Sequence, residues 1–239
     1  MRSPKRKFSR ELARRLLWWR FRLTQRHRVG HLVIEEVHGQ PILVLPNVFN
    51  PKLLRSGELL AETLYARAMP ANATVLDLGT GSGVGAVFAA RSAARVVATD
   101  INPDAVRCAQ MNALLHHCED KIETRVGDLF EPTRDEQFDL ILFNPPFYRG
   151  HPMSLGDSAW RSTDVFDRFL REVPLHLERN GCALVVLSDD AEVTELLHSA
   201  THLQVCVLRQ ERVFINETLT VYEIRSGHET QDHFVQPPK

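Results

Sequence analysis

Asn144, Pro145, Pro146 and Phe147 stand directly behind the apolar run Phe138–Phe143. Two consecutive prolines forfeit two backbone donors and forbid a strand from continuing. The segment is either a hard structural stop or a rigid corner rich in hydrogen-bond acceptors. A proline-stiffened stop suits an edge strand, whereas the pattern of elements makes this run an interior strand, which favours the corner. A second group lies upstream. Asp77 stands near the end of the run Thr74–Leu78, which is followed by Gly79, Gly81, Gly83 and Gly85. Glycines at such a place let the backbone approach a ligand and free the amides at the next helix start.

That loop alone leaves its ligand open. Gly81, Gly83 and Ala86 satisfy the dinucleotide pattern G-x-G-x-x-G/A, and Asp100 ends the next apolar run at a distance suited to a ribose diol. The acids discriminate. A dinucleotide needs its pyrophosphate on the loop, and a carboxylate there repels it. S-adenosylmethionine carries a sulfonium and an ammonium instead. Asp77 suits the ammonium, and Asp128, behind the run Lys121–Gly127, suits the adenine amine. The two acids favour the sulfonium cofactor.

The stretches VLDLGTGSG, ATDINPDAV, VGDLF and FNPPF occur in the order found in class I S-adenosylmethionine-dependent methyltransferases, which this chain resembles over roughly residues 40–225. The Asn-Pro-Pro-Phe segment looks like the signature of the amino-methylating members. These include HemK-like glutamine methyltransferases and enzymes acting on exocyclic base amines of RNA or DNA. The resemblance implies cofactor contacts from Asp77, Gly79, Thr80, Gly81, Gly83, Asp100, Ile101, Asp128, Leu129 and Asn144, and catalytic roles for Asn144, Pro145, Pro146 and Phe147. An amide or aryl-amine nitrogen is a poor nucleophile because its lone pair is delocalised. The Asn144 side-chain oxygen and the Pro145 carbonyl can each accept one N–H of a flat NH₂ group. Phe147 can stack on it, and the prolines hold the acceptors in place before substrate arrives. Methyl transfer from a sulfonium disperses charge already present, so the chemistry demands neither a metal nor a strong base. The scattered histidines, with His116 and His117 adjacent, do not suggest metal binding either.

Substrate contacts are expected from Phe49, Tyr148, Arg149 and Trp160. Phe49 sits in NVFNP, which resembles the segment capping the cofactor in related enzymes. The others border or occupy a glycine-containing stretch of little periodicity, residues 148–164, beside the proline corner. Compared with HemK-like release-factor enzymes, which carry a tyrosine after the prolines, this chain has Phe147. That difference and the basic arm point to RNA or a ribosomal target, with an exocyclic base amine as acceptor. The alternative is a protein glutamine amide. A nucleotide-dependent oxidoreductase or a non-catalytic binding module of the same fold is a third alternative.

The elements that must position these groups follow from periodicity. Strand runs 74–78, 95–100, 121–128, 138–143 and 182–188 alternate with helical patterns, which implies a parallel sheet with right-handed crossovers. Asn102 is the expected cap, and Pro103 the first residue, of a helix running to His117. A helix is expected from a Ser56 cap to about Arg67, another over about 164–177, and another over 190–200. Residues 203–213 and 219–226 form strands with a short link and are therefore antiparallel neighbours. Runs 31–37 and 41–45 flank a glycine turn and predict a hairpin. The fold class is thus α/β: a doubly wound, mostly parallel seven-stranded Rossmann-like sheet with a terminal antiparallel hairpin, preceded by a small basic helix and a β-hairpin.

Domain boundaries are read as a basic amphipathic arm over 1–30, a hairpin and helix over 31–70, the cofactor domain over 71–227 and a disordered tail over 228–239. The formal net charge of −1 conceals an asymmetry. Eleven of the 29 basic residues and one of the 30 acids fall within residues 1–28, so the remainder carries −11. Leu12, Leu16, Trp19 and Leu23 make one apolar stripe on that arm. Four readings compete: nucleic-acid binding, attachment to an anionic membrane, an organelle transit peptide, and a solvated arm docked by its aromatic pair. No apolar run approaches the ~20 residues needed to span a bilayer. Four cysteines without a Cys-x-x-Cys pair suggest reduced thiols and the cytoplasm. Oligomeric state is not readable.

Overall fold

The structure, a computed structural model, describes residues 30–52, 55–151, 159, 161–189, 193–214 and 217–227. The expectations for the arm over 1–29, for Trp160 and for the tail lie outside these residues. The hairpin forms as β1 (Val33–Val37) and β2 (Gln40–Val44), turning through His38 and Gly39 at positive φ. Helix α1 (Ser56–Tyr65) follows. Next come β3 (Thr74–Leu78), α2 (Val84–Ala90), β4 (Arg95–Asp100), α3 (Pro103–Leu115), β5 (Ile122–Val126) and β6 (Phe138–Phe143). Two-residue strands β7 (Tyr148–Arg149) and β8 (Arg161–Ser162) pair in parallel. The chain continues through α4 (Val165–Glu172), β9 (Leu177–Ser188), α5 (Thr194–Ser199), β10 (Leu203–Phe214) and β11 (Glu217–Ser226).

The central sheet has seven strands in the order β10-β11-β9-β6-β3-β4-β5. Strands β9, β6, β3, β4 and β5 are parallel, and β11 runs against both β9 and β10. Successive strands β3, β4 and β5 move one way from β3, and β6 returns to its other side. The switch point therefore lies between β3 and β6, where ligands of such sheets bind at the carboxyl ends of the strands. β6 is paired on both flanks, so the two prolines do not mark an edge.

Several boundaries differ from the sequence expectation for identifiable reasons. Ser56 is not a cap. Arg55 occupies that position with φ 63 and no side-chain cap bond, held instead by ion pairs to Glu58, Glu62 and Glu211. The helix expected over 164–177 ends at Glu172, because Pro174 tightens the chain into a 3₁₀ turn over Val173–Leu175. The fifth strand then starts at Leu177, earlier than expected, through a register shift opposite Phe138 and Leu140. Helix α3 follows expectation: Asn102 accepts from the Asp104 amide at 3.0 Å with Pro103 at the first turn.

One core contains Val37, Ile42 and Val44 of the hairpin, Leu59, Leu60 and Leu64 of α1, and the sheet interior. α1 packs on α2, β9 and β11, while α3 packs on α2, β4 and β5. Phe169 of α4 stacks with Phe130 and with its helix neighbour Phe166, and meets Phe143 at a tilt. All four cysteines are free thiols. No helix among the described residues is long and apolar enough to cross a membrane.

Candidate active site

Leu78 of β3 pairs with Phe143 of β6, so Gly79 and Asn144 leave neighbouring strands side by side. Leu78 also pairs with Thr99 of β4, which brings Asp100 to the same end of the sheet, and Asp100 pairs with Val126 of β5. Strand register thus gathers the glycine loop, Asp100, Asp128 and the proline corner around one cavity of about 340 Å³. Its walls include Asp77, Gly79, Thr80, Gly81, Asp100, Ile101, Asp128, Leu129, Asn144, Pro145, Pro146, Phe147 and Phe49. The size lies in the range of small-molecule sites.

Not every expected group comes to the wall. Gly83, φ 81, turns inward: an added Cβ would stand 2.7 Å from the Ala109 Cα, so it brings α2 against α3. Tyr148 is half-buried against the core in β7 and is not part of the lining. Arg149 enters through the backbone pairing of β7 with β8.

The acids occupy three different environments. Asp77 is buried, and its Oδ2 accepts from Thr80 Oγ1 at 2.5 Å and from the Ala86 amide at 2.8 Å. It braces the loop from below instead of presenting that oxygen to a ligand. Burial pushes its carboxyl up to about 7, overriding both bonds, and the Asp100 charge adds to the rise. Asp100 accepts from the Gly81 amide at 2.9 Å through Oδ2 and from the Asn102 amide at 2.9 Å through Oδ1. Its carboxyl is also pushed up, chiefly by burial. Asp128 is held by a fork from Arg168 of α4, with N–O distances of 2.6–2.8 Å.

A cap closes the cavity from the hairpin side. Phe49 stands across from Gly81, where an added Cβ would lie 4.0 Å from the Phe49 Cβ. Asn50, buried, donates to Glu35 Oε1 at 2.7 Å and accepts from the Lys52 amide at 2.9 Å. Asn102 donates to the Asn47 carbonyl at 3.0 Å. Asn112, fully buried in α3, donates to the carbonyls of Leu43 and Ser82 and accepts from the Leu43 amide at 2.8 Å. The hairpin, the glycine loop and α3 are thereby one bonded unit.

Sequence reasoning missed Arg168 and Ser56 in this wall, and Asn112, which ties the loop to the hairpin behind it. A polar residue on the buried face of an otherwise apolar helix was the available signal for Asn112. Arg168 had none, because its partner lies 40 residues away.

Fold and site together define a doubly wound α/β protein whose cavity lies at the switch point of its sheet. A family model for the methyltransferase small domain matches residues 40–215, and the chain belongs to that family. It is 39% identical over 115 residues to a release factor glutamine methyltransferase of Geobacter sulfurreducens, covering 47% of this chain and 39% of that protein. It is 28% identical over 172 residues to a ribosomal RNA small subunit methyltransferase C of Alcanivorax borkumensis, covering 71% of this chain and 50% of that protein. The chain thus spans half or less of the length of these curated relatives. The T. Thermophilus 16S rRNA N2 G1207 methyltransferase, solved with AdoMet and guanosine, superposes with a TM-score of 0.61 at 24% identity over 81% of this chain and 49% of that one. At that identity the likeness is one of fold.

Proposed function

We propose that this chain is an S-adenosylmethionine-dependent N-methyltransferase acting on a flat NH₂ group, with an exocyclic base amine of RNA as acceptor. The observation that carries this is the pairing of Leu78 with Phe143, which sets the glycine loop and the Asn144–Pro145 corner side by side in one cavity. The residues present fit the cofactor. Asp77, Asp100 and Asp128 line the wall, which suits a ligand carrying cationic groups, and two buried hydroxyls there, Ser56 Oγ and Thr99 Oγ1, have no hydrogen-bond partner among the described residues. When bound, S-adenosylmethionine supplies an electrophilic methyl group on a sulfonium. Asn144 Oδ1 and the Pro145 carbonyl accept the two N–H bonds of the substrate and direct the nitrogen lone pair; Phe147 offers its ring to the flat group. Asn144 and Pro145 would hold the nitrogen toward the methyl group that S-adenosylmethionine would supply, and the nitrogen's surplus proton would leave to water. Asp100 takes the ribose, and Phe49 excludes solvent from above the loop.

RNA is favoured by the eleven basic residues of the first 28, which bind phosphates without reading sequence, and by Phe49 and Phe147 as stacking surfaces. Such a substrate implies the cytoplasm. In this scheme residues 71–227 hold the cofactor, residues 31–70 cap it and residues 1–30 engage the substrate. A glutamine amide is the second reading, supported by the match to a glutamine methyltransferase. The test is transfer of radiolabelled methyl groups into fractionated cell extract. Label that is lost on RNase treatment and survives protease supports the RNA acceptor. Label with the opposite sensitivity supports glutamine, and no transfer to either class contradicts the assignment.

A further inference from the structure

Among the described residues, two cations line the cavity, Arg161 of β8 and Arg168 of α4, and the methyl-transfer scheme uses neither. A fixed cation works against a ligand that itself carries a sulfonium and an ammonium, because like charges repel and a cavity wall screens them poorly. Arg168 is accounted for. Its fork on Asp128 offsets its charge, and Asp164 stands 3.6 Å from its Nε. Arg161 stands elsewhere, at the acceptor end of the cavity.

That place follows from the chain. β7 starts directly behind Phe147, and its Tyr148 pairs with Arg161. Arg149 pairs with Ser162, and the Gly150 amide donates to the Ser162 carbonyl at 3.1 Å, so the chain leaving the proline corner is held against β8. Gly150 has φ 143, a conformation that residues with side chains rarely adopt. The Arg161 Cδ and Nη1 lie 3.8 and 3.9 Å from where a Cβ on Gly150 would stand. The arginine stem therefore lies along this turn, next to the corner. β8 itself is fixed to α4, whose leading amides, Asp164 and Val165, donate to Ser162 Oγ at 3.3 and 3.1 Å. Arg161 has a contact of its own. A guanidinium carries several N–H donors in one plane, so it can hold a further acceptor.

The two acceptors weighed above differ in charge. A glutamine amide arrives on a neutral backbone. A base amine belongs to a nucleotide, which brings a phosphate to the same site. A guanidinium matches a phosphate in geometry and in charge, and beside the acceptor pair it meets an anion only in the second case.

We infer that Arg161 binds a phosphate flanking the target base and so selects a nucleotide acceptor over an amide. This rests on the N-methyltransferase reading proposed above and names the residue that separates its two acceptors. The basic residues of 1–28 bind RNA without regard to the target, whereas Arg161 lies in the cavity wall and acts on the methylated nucleotide itself.

Steady-state methyl transfer into heat-denatured total RNA, taken from cells lacking this protein's gene, tests the inference with wild type, Arg161→Met and Arg161→Lys over a series of salt concentrations. Arg161→Met is expected to raise KM for RNA about tenfold. It is also expected to reduce the slope of log KM against log salt by about 0.7, the share of one phosphate contact on a single strand. Arg161→Lys keeps the charge and is expected to restore the slope. Calorimetry with S-adenosylmethionine alone is expected to find Arg161→Met binding no more weakly than wild type, because a repelling charge has gone. A cofactor-binding Arg161→Met protein with wild-type KM and slope overturns the phosphate contact and leaves the transferase reading in place. So does an Arg161→Lys protein whose slope is as shallow as that of Arg161→Met. Weaker cofactor binding by Arg161→Met gives the side chain a different role and overturns the contact as well. Label that wild type places in added cell protein and not in RNA overturns the nucleotide acceptor. No transfer by wild type to either overturns the methyltransferase reading itself.

Discussion

Asp77 carries a charge problem that the ligand is expected to resolve. Its buried carboxyl sits near 7 in the folded chain, against an ordinary aspartate value of 3.8. The folded state therefore holds this proton more tightly than the unfolded state. Its contribution to stability is full below about pH 4 and disappears as pH rises through about 7, an effect of up to about 4 kcal/mol. Ligand-free protein is accordingly expected to lose stability between pH 5 and pH 8 in denaturant titrations. Asp77→Asn should flatten that component, since one amide oxygen can accept from both Thr80 and Ala86. Parallel profiles for the two proteins would contradict the assignment. A cation in the cavity favours the ionised carboxylate, so cofactor affinity should climb through the same pH range in wild type alone. Local sequence identified Asp77 and Asp128 as acids at strand ends. It could not show that one oxygen of Asp77 is spent on the loop, or that Asp128 is gripped by Arg168, because both facts depend on packing distant in the chain.

At the scale of elements, Asn112 couples α3 to the hairpin and the glycine loop. Asn112→Ala would leave the Leu43 amide and the carbonyls of Leu43 and Ser82 without their partner. A loss of about 3 kcal/mol in urea unfolding is expected, together with weaker cofactor binding. A variant with wild-type stability and weakened binding would show that the coupling is not structural. Gly83→Ala strains a left-handed position and drives a methyl into Ala109, so it should cost about 2 kcal/mol or more. Strands 74–78, 95–100 and 138–143 were legible because each is a short apolar run bounded by glycine, proline or asparagine. The start of α1 was not. Serine ahead of an apolar helix reads as a cap, yet the ion pairs of Arg55 set the chain one residue earlier, and no local rule contains Glu211.

The whole molecule joins a basic arm to an acidic body, 11 positive residues against a remainder at −11. Deleting residues 1–28 is expected to abolish salt-sensitive RNA binding and to leave cofactor affinity unchanged, as read by filter binding and calorimetry. Undiminished RNA affinity in the truncated protein would remove the arm from the substrate interface. The seven-stranded class followed from alternating runs, whereas the insertion of β11 between β9 and β10 did not. Antiparallel pairing with β10 was implied by the short link, but the choice of β9 as second neighbour is made by burial across the sheet.

The central claim is that a proline-braced acceptor pair beside a sulfonium site makes an inert nitrogen reactive. Single-turnover methyl transfer by Asn144→Ala, run alongside its cofactor affinity and melting temperature, tests it most directly. A fall in rate of about 100-fold or more, with folding and affinity close to wild type, is the expected result. Undiminished turnover by a folded, cofactor-loaded Asn144→Ala protein would contradict it.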